Sequence, residues 1–295
     1  MNTDFIVVKC PVCNGSKFKS RFRINYKSSK MIEFLDIKTI PEIILKECLN
    51  CGHCYSSHQL NEELIDKYYR ILNSEYFGIG IIEPRDYESY LISEPVTLLQ
   101  KFKKSGRILD VGCGYGFLLD KFRTSGWTTF GVEPSPYASD YAKNRLKIDI
   151  ISEYLTDDLE TEDFDVIMMM DVLEHISNPN KLLTTTHKYL KSDGNLMIAT
   201  GNVNSLNAIL TRGKWPYFGS YEHISFYNIA SIKYLLDKNG FSLLGYWHTA
   251  YDSGYIRNIL RLPKNLFFMF NDYIRGGDKP LALALDHLII IASKK

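Results

Sequence analysis

The ten residues from Arg107 to Gly116, R-I-L-D-V-G-C-G-Y-G, constrain this chain more than any other stretch. Ile108, Leu109 and Val111 form a short apolar run that ends in glycines at 112, 114 and 116, the pattern of a buried strand turning sharply into a helix. Glycine there lets backbone amides approach a ligand closely, and the amides that open the following helix face a concave spot suited to a polar or anionic group. A small cofactor is expected at Asp110, Gly112, Cys113, Gly114 and Gly116.

Spacing narrows the choice of cofactor. A dinucleotide fold places a third small residue three positions after the second glycine, which here is Phe117. The third glycine instead comes one residue early, and Asp110 precedes the loop. At this point the chain resembles the Rossmann-like methyltransferases that use S-adenosylmethionine, whose first motif is an acidic residue followed by G-x-G-x-G. Later landmarks resemble the same family: W-T-T-F-G-V-E from Trp127 to Glu133, then D-V-L-E-H-I from Asp171 to Ile176, with Asn178-Pro179 shortly after. The resemblance implies that Glu133 accepts hydrogen bonds from both ribose hydroxyls, and Asp171 is expected to line the methionine end. It covers roughly the last two thirds of the chain.

The N-terminal part carries a second pattern. Five of the six cysteines fall in the first 54 residues, as Cys10-x-x-Cys13 and Cys48-x-x-Cys51-x-x-Cys54. Two C-x-x-C turns at this separation read as a zinc ribbon in which Cys10, Cys13, Cys48 and Cys51 hold a tetrahedral ion, with His53 and Cys54 as spare ligands. Free buried thiols or a redox pair are the alternatives. Between the turns, Lys17 to Lys27 alternates basic or polar with apolar residues, which puts Phe18, Phe22, Ile24 and Tyr26 on one strand face and Lys17, Lys19, Arg21, Arg23 and Lys27 on the other. That basic face suits phosphates or is a solvated face that blocks edge pairing.

The chain is expected to be α/β: a Rossmann-like seven-stranded methyltransferase sheet, its last hairpin antiparallel by resemblance, with a small N-terminal zinc ribbon. The expected domains are a ribbon over 1–60, a helical linker or lid over 61–105, and the methyltransferase domain over 106–295. A stripe of Leu64, Ile65, Tyr68, Ile71 and Leu72 is expected to pack on the catalytic domain. A helix is expected from 87 to 104, and Tyr76 and Tyr87 are candidate lid residues or core. Helices follow at 117–125, 135–146, 180–190 and 228–238, alternating with strands at 148–152, 164–170, 196–200, 241–247 and 287–292. The last hairpin carries an insertion over 252–284. Leu266 to Phe270, near Arg257, Arg261 and Lys264, suits a membrane-surface or dimer contact within 255–275, or ordinary packing.

A net charge of +1 over 295 residues gives no pull toward nucleic acid, and no apolar run is long enough to span a bilayer. With no secretory signal in the opening residues, a cytoplasmic location is expected.

Methyl transfer from a sulfonium is an in-line displacement, so the protein's main task is to hold donor and acceptor in line. The loop from Gly201 to Tyr227 should cover the acceptor, with Trp215, Tyr217, Phe218 and Tyr221 as flat faces. A base is needed where the acceptor loses a proton. His223, beside Glu222, is the first candidate and His175 the second, with an acid limb near the ordinary histidine range of about 6 to 7. The resemblance implies a small-molecule acceptor, a sugar or nucleotide-linked sugar that is O-methylated for polysaccharide biosynthesis. The rivals are a guanine-type RNA methyltransferase and a non-catalytic zinc-ribbon interaction protein.

Overall fold

The computed structural model describes residues 4–24, 30–71, 90–219, 221–249 and 286–295. The strands are β1 Phe5–Val7, β2 Phe18–Arg23, β3 Ile44–Cys48, β4 Cys54–Ser56, β5 His58–Leu60, β6 Arg107–Val111, β7 Thr128–Val132, β8 Asp149–Ser152, β9 Phe164–Met170, β10 Leu190–Gly201, β11 Ser225–Phe226, β12 Phe241–Thr249 and β13 His287–Lys294. The helices are α1 Lys30–Phe34, α2 Glu62–Ile71, α3 Tyr90–Leu99, α4 Phe117–Thr124, α5 Pro136–Asn144, α6 Pro179–Tyr189, α7 Leu206–Thr211 and α8 Ile229–Lys238.

The main sheet has seven strands in the order β12-β13-β10-β9-β6-β7-β8. Its β10, β9, β6, β7 and β8 run parallel, and β13 enters antiparallel between β10 and β12. Side chains alternate across this sheet. Leu109, Ile167, Met169, Leu196, Ile198 and Ile290 face one layer with Leu183 of α6 and Leu235 of α8. Ile108, Val166, Met168, Met197 and Ile291 face the other with Leu99 of α3, Phe122 of α4 and Ala142 of α5. Both faces are covered, which is why the central strands read as unbroken apolar runs. Each of these side chains contributes about 1.5–3 kcal/mol by leaving water.

Helix starts follow from local chemistry. Ser135 accepts from the amide of Ala138 to cap α5, Asn178 caps α6 ahead of Pro179, and Asn228 with Ser231 forms a capping box on α8.

The N-terminal residues form a second sheet, β11-β4-β3-β2. Its edge strand β11 comes from the other end of the chain, in the acceptor loop, with Ser225 opposite Tyr55 and Phe226 opposite Cys54. A two-stranded sheet pairs β1 with β5.

Two expectations differ from what is observed. A bulge between Ser20 and Phe22 breaks the alternation of β2, so Phe18 is exposed, with the Lys46 ammonium 4.2 Å above its ring. The stripe of α2 packs on Met31, Ile32, Leu35, Ile37 and Leu60 of the N-terminal part, and it reaches the catalytic domain through Tyr221 and the Asp66–Tyr154 and Arg70–Glu153 contacts. Ile71 remains exposed. On the basic face of the edge strand β2, Lys19 and Arg21 pair with Glu47 and Arg23 with Glu42 while Lys19 and Arg23 stay exposed, in keeping with the solvated-face alternative. Tyr76, Tyr87, the 252–284 insertion and the 255–275 contact lie outside the described residues. Among the described residues no helix is long and apolar enough to cross a membrane.

Candidate active site

The crevice lies at the carboxyl ends of the parallel strands, where loops after β6, β7, β9 and β10 converge. After β6, Gly112 and Gly114 take φ of +74° and +53°, the left-handed region that other residues enter only with strain. A Cβ on Gly112 would come 2.7 Å from Val172, whereas nothing lies within 4 Å of one on Gly114. The loop thus presses against the β9 turn at one glycine and opens at the next. Gly116 starts α4 without a side-chain cap, so this helix presents its first amides to the crevice.

Glu133, at the end of β7, is buried and holds the glycine loop. One carboxylate oxygen accepts from the amide of Gly114 and the other from the amide of Ser135, both at 2.8 Å. Beneath it Asp110 is 3 % exposed, and burial together with Glu133 pushes its carboxyl up to about 8. Its Oδ1 is buried with no hydrogen-bond partner. A buried acceptor left unpaired costs about 1–3 kcal/mol, and a ligand's ammonium is the kind of group that would satisfy it. Cys113 is turned inward, its thiol pushed up by burial, and packs against Gly131.

Asp171 follows β9 with a left-handed φ of +53°, and its amide donates to Ala199. Three residues on, Glu174 is fully buried. One of its oxygens accepts from Thr200 at 3.0 Å, and the other accepts from the Tyr217 hydroxyl. Burial and the neighbouring Asp171 push Glu174 up to about 8. Its carbonyl takes the amide of Ile224, so the β9 turn and the acceptor loop are stitched together beside the two histidines.

His175 and His223 face each other with ring centroids 4.8 Å apart. His223 Nδ1 donates to the Tyr217 carbonyl at 2.6 Å, which leaves Nε2 as the unprotonated nitrogen. The Glu222 carbonyl accepts from the His175 ring, whose Nδ1 is buried without a partner. Burial is the main cause that pushes both rings down to about 4. Glu222 turns away from His223 and accepts from the Tyr68 hydroxyl of α2, so it does not orient the ring.

Glu174, His175 and His223 bring one donor atom each within 4.8 Å of one another. Both Glu174 oxygens are already engaged, by Thr200 and Tyr217. Sequence reasoning passed over Glu174, Thr200, Asp286 and His287. Glu174 lay inside the D-V-L-E-H string, which was a signal, whereas Asp286 and His287 reach the crevice only through the antiparallel entry of β13.

At the far side of α6 and α8, Cys10, Cys13, Cys48 and Cys51 bring their sulfurs within 4.8 Å of one another. Cys10 and Cys51 are 3.6 Å apart, and Cys13 and Cys48 are 3.4 Å apart. Zinc–sulfur bonds of about 2.3 Å at tetrahedral angles require a spacing near these values. Gly52 takes a φ of +70° in the second turn, and the amide of Gly15 donates to the Cys13 sulfur. His53 and Cys54 are not in the cluster: His53 packs between Tyr55 and Tyr227, and Cys54 lies among Leu45, Trp215 and Phe226.

Residues 85–245 match the family described as methyltransferase domain. The chain belongs to that family. This methyltransferase domain is 31% identical over 155 residues to a ubiquinone biosynthesis O-methyltransferase of Bartonella tribocorum, covering 47% of this chain and 61% of the relative. It is 30% identical over 168 residues to the protein of that name from Bartonella quintana, covering 51% and 65%. The chain thus spans less than two thirds of the length of these curated relatives. Its fold is similar to that of magnesium protoporphyrin IX methyltransferase from Synechocystis, solved with bound SAH, with a TM-score of 0.55, 15% identity, and 80% and 100% of the two chains covered. The shared fold is that of the class I S-adenosylmethionine methyltransferases.

Proposed function

We propose that this methyltransferase domain moves the methyl group of S-adenosylmethionine to a hydroxyl of a small molecule. Two features support the reading: the Gly112–Gly116 loop with Asp110 and Glu133 at the ends of β6 and β7, and His223, whose Nδ1 bond to the Tyr217 carbonyl leaves Nε2 unprotonated. S-adenosylmethionine, when bound, supplies an electrophilic methyl on a sulfonium. Glu133 keeps lone pairs for ribose hydroxyls, and Asp110 Oδ1 offers a buried acceptor to the ammonium of the methionine end. With the donor bound, His223 Nε2 would take the proton of the acceptor hydroxyl, and the Tyr217 carbonyl keeps the ring in the required tautomer.

The names of the curated relatives support O-methylation. A sugar or nucleotide-linked sugar acceptor rests on the family resemblance alone. A void of about 10 Å³ beside His175, lined by Met31, Leu60, Ile65, Tyr69, Tyr221, Glu222 and Ile224, has room for about one water. One structural zinc at the four clustered thiols is part of the proposal, as is a cytoplasmic location. Calorimetry with S-adenosylhomocysteine tests the reading: binding at one site per chain is expected, and binding of NAD in its place overturns it.

A further inference from the structure

His287 opens β13 and is buried at the crevice end of the sheet. Its two ring nitrogens face carboxylates from different elements. Nδ1 is 3.2 Å from Asp286, and Nε2 is 3.5 Å from Asp171, an ion pair longer than a good hydrogen bond. Asp171 belongs to the cofactor side of the crevice. Asp286 belongs to the acceptor side: its second oxygen accepts from the Trp215 indole at 3.3 Å and from Asn207 at 3.4 Å, and its carbonyl accepts from the amide of Asn202 at 2.7 Å. The Tyr217 ring, which reaches Glu174 through its hydroxyl, stands edge-on to His287 at 5.1 Å.

Charge points the same way. Asp171 and Asp286 flank the ring, Glu174 nearby is pushed up to about 8 by burial and Asp171, and His175 and His223, which also face Asp171, are pushed down to about 4 mainly by burial. Burial alone would lower the His287 pKa as well, but Asp171 and Asp286 overcome it and raise the ring to about 10. In return, His287 holds Asp171 below the usual carboxylate value against the opposing effect of burial.

We propose that His287 is a positioning residue, a charged strut that fixes Asp171 on the cofactor side and Asp286 with the Trp215 loop on the acceptor side, and so sets the separation between the two substrates. The inference rests on the methyl-transfer reading. His287 takes no proton from the acceptor. Its work is to keep two carboxylates, and the loops they anchor, at a fixed spacing across the crevice.

Two conservative replacements separate the two arms. The amide nitrogen of asparagine occupies the place of Nδ1, and that of glutamine the place of Nε2. His287→Gln keeps the Asp171 arm and frees Asp286, so affinity for S-adenosylhomocysteine should stay within about twofold of the parent while amides of 202–219 exchange with solvent about tenfold faster. His287→Asn should do the reverse, weakening S-adenosylhomocysteine about tenfold or more with loop exchange unchanged. The same change in both variants, or no change in either, overturns the proposal. Absence of S-adenosylhomocysteine binding to the parent protein instead defeats the methyl-transfer reading.

A measurement on the parent protein keeps the idea testable should both variants fail to fold. The chain has seven histidines, and the six others are all shifted below the ordinary value. Ring-nitrogen spectra at about pH 8.5 should therefore show one histidine with both nitrogens protonated. A spectrum with seven neutral rings overturns the proposal.

Discussion

His175 and His223 stand ring to ring at 4.8 Å, each with one nitrogen engaged by a backbone carbonyl. Two imidazoles this close cannot both carry charge cheaply, so each helps to keep the other neutral and able to accept a proton. His223→Ala should retain S-adenosylhomocysteine affinity and lose about 10²–10⁴ in turnover. Loss of acceptor affinity with turnover preserved would move the base to His175.

The pH profile follows from the same pair. An ordinary histidine would give an acid limb at about 6 to 7, but burial, with His175 as a second cause, pushes His223 down to about 4. Turnover at saturating substrate should thus stay flat from neutral pH to about 5 and fall only as pH approaches 4. Stability should change earlier. Both rings have folded values below the unfolded value of about 6.5, so their contribution is present above 6.5 and is lost as pH falls from there toward 4.

Glu174 has the opposite sign. Its folded value of about 8 lies above the ordinary carboxyl value of 4.5, so the native state holds an extra proton between the two. That contribution is complete below about 4.5 and is lost as pH rises toward 8. Glu174→Gln imitates the protonated form and keeps polar partners for Thr200 and Tyr217. It should cost less than about 1 kcal/mol at neutral pH and flatten the stability decline between about 5 and 8, whereas Glu174→Ala should cost about 1–3 kcal/mol. Melting temperatures across pH check both.

Glu133 serves the loop as well as the ligand. Glu133→Ala leaves the amides of Gly114 and Ser135 without their acceptor, so the cradle loosens even before a cofactor arrives. S-adenosylhomocysteine should bind about tenfold more weakly or worse, with a lower melting temperature. Unchanged affinity by calorimetry would remove Glu133 from the site.

The four-thiol cluster should return about one zinc per chain on metal analysis of protein expressed with ample metal. Structural zinc contributes on the order of 10 kcal/mol in small modules, so Cys13→Ser should unfold the N-terminal part. A folded module with substoichiometric zinc would count against the ion.

Much of this was legible in the chain. The strand–glycine–helix passage at 107–124 and the alternation that follows carry local signals: apolar runs, caps at Ser135, Asn178 and Asn228, and glycines where φ turns positive. The paired C-x-x-C turns located the thiol cluster. What stayed hidden depends on pairing between distant segments. Nothing near residue 225 shows that Phe226 lies opposite Cys54, and nothing near 286 shows that β13 delivers His287 to Asp171. The bulge that turns Phe18 outward follows from register with β3, which alternation within β2 alone does not reveal.

Because β11 is hydrogen-bonded into the N-terminal sheet, one ladder runs from the cysteine turns to the loop that carries His223. Asn228 binds the carbonyl of Gly52, and Asn180 and Lys238 bind the first turn. A chain severed at residue 60 would strip an edge strand of its neighbour and leave His223 on an unsupported tether. Moving this loop into a relative would therefore require the N-terminal sheet to travel with it.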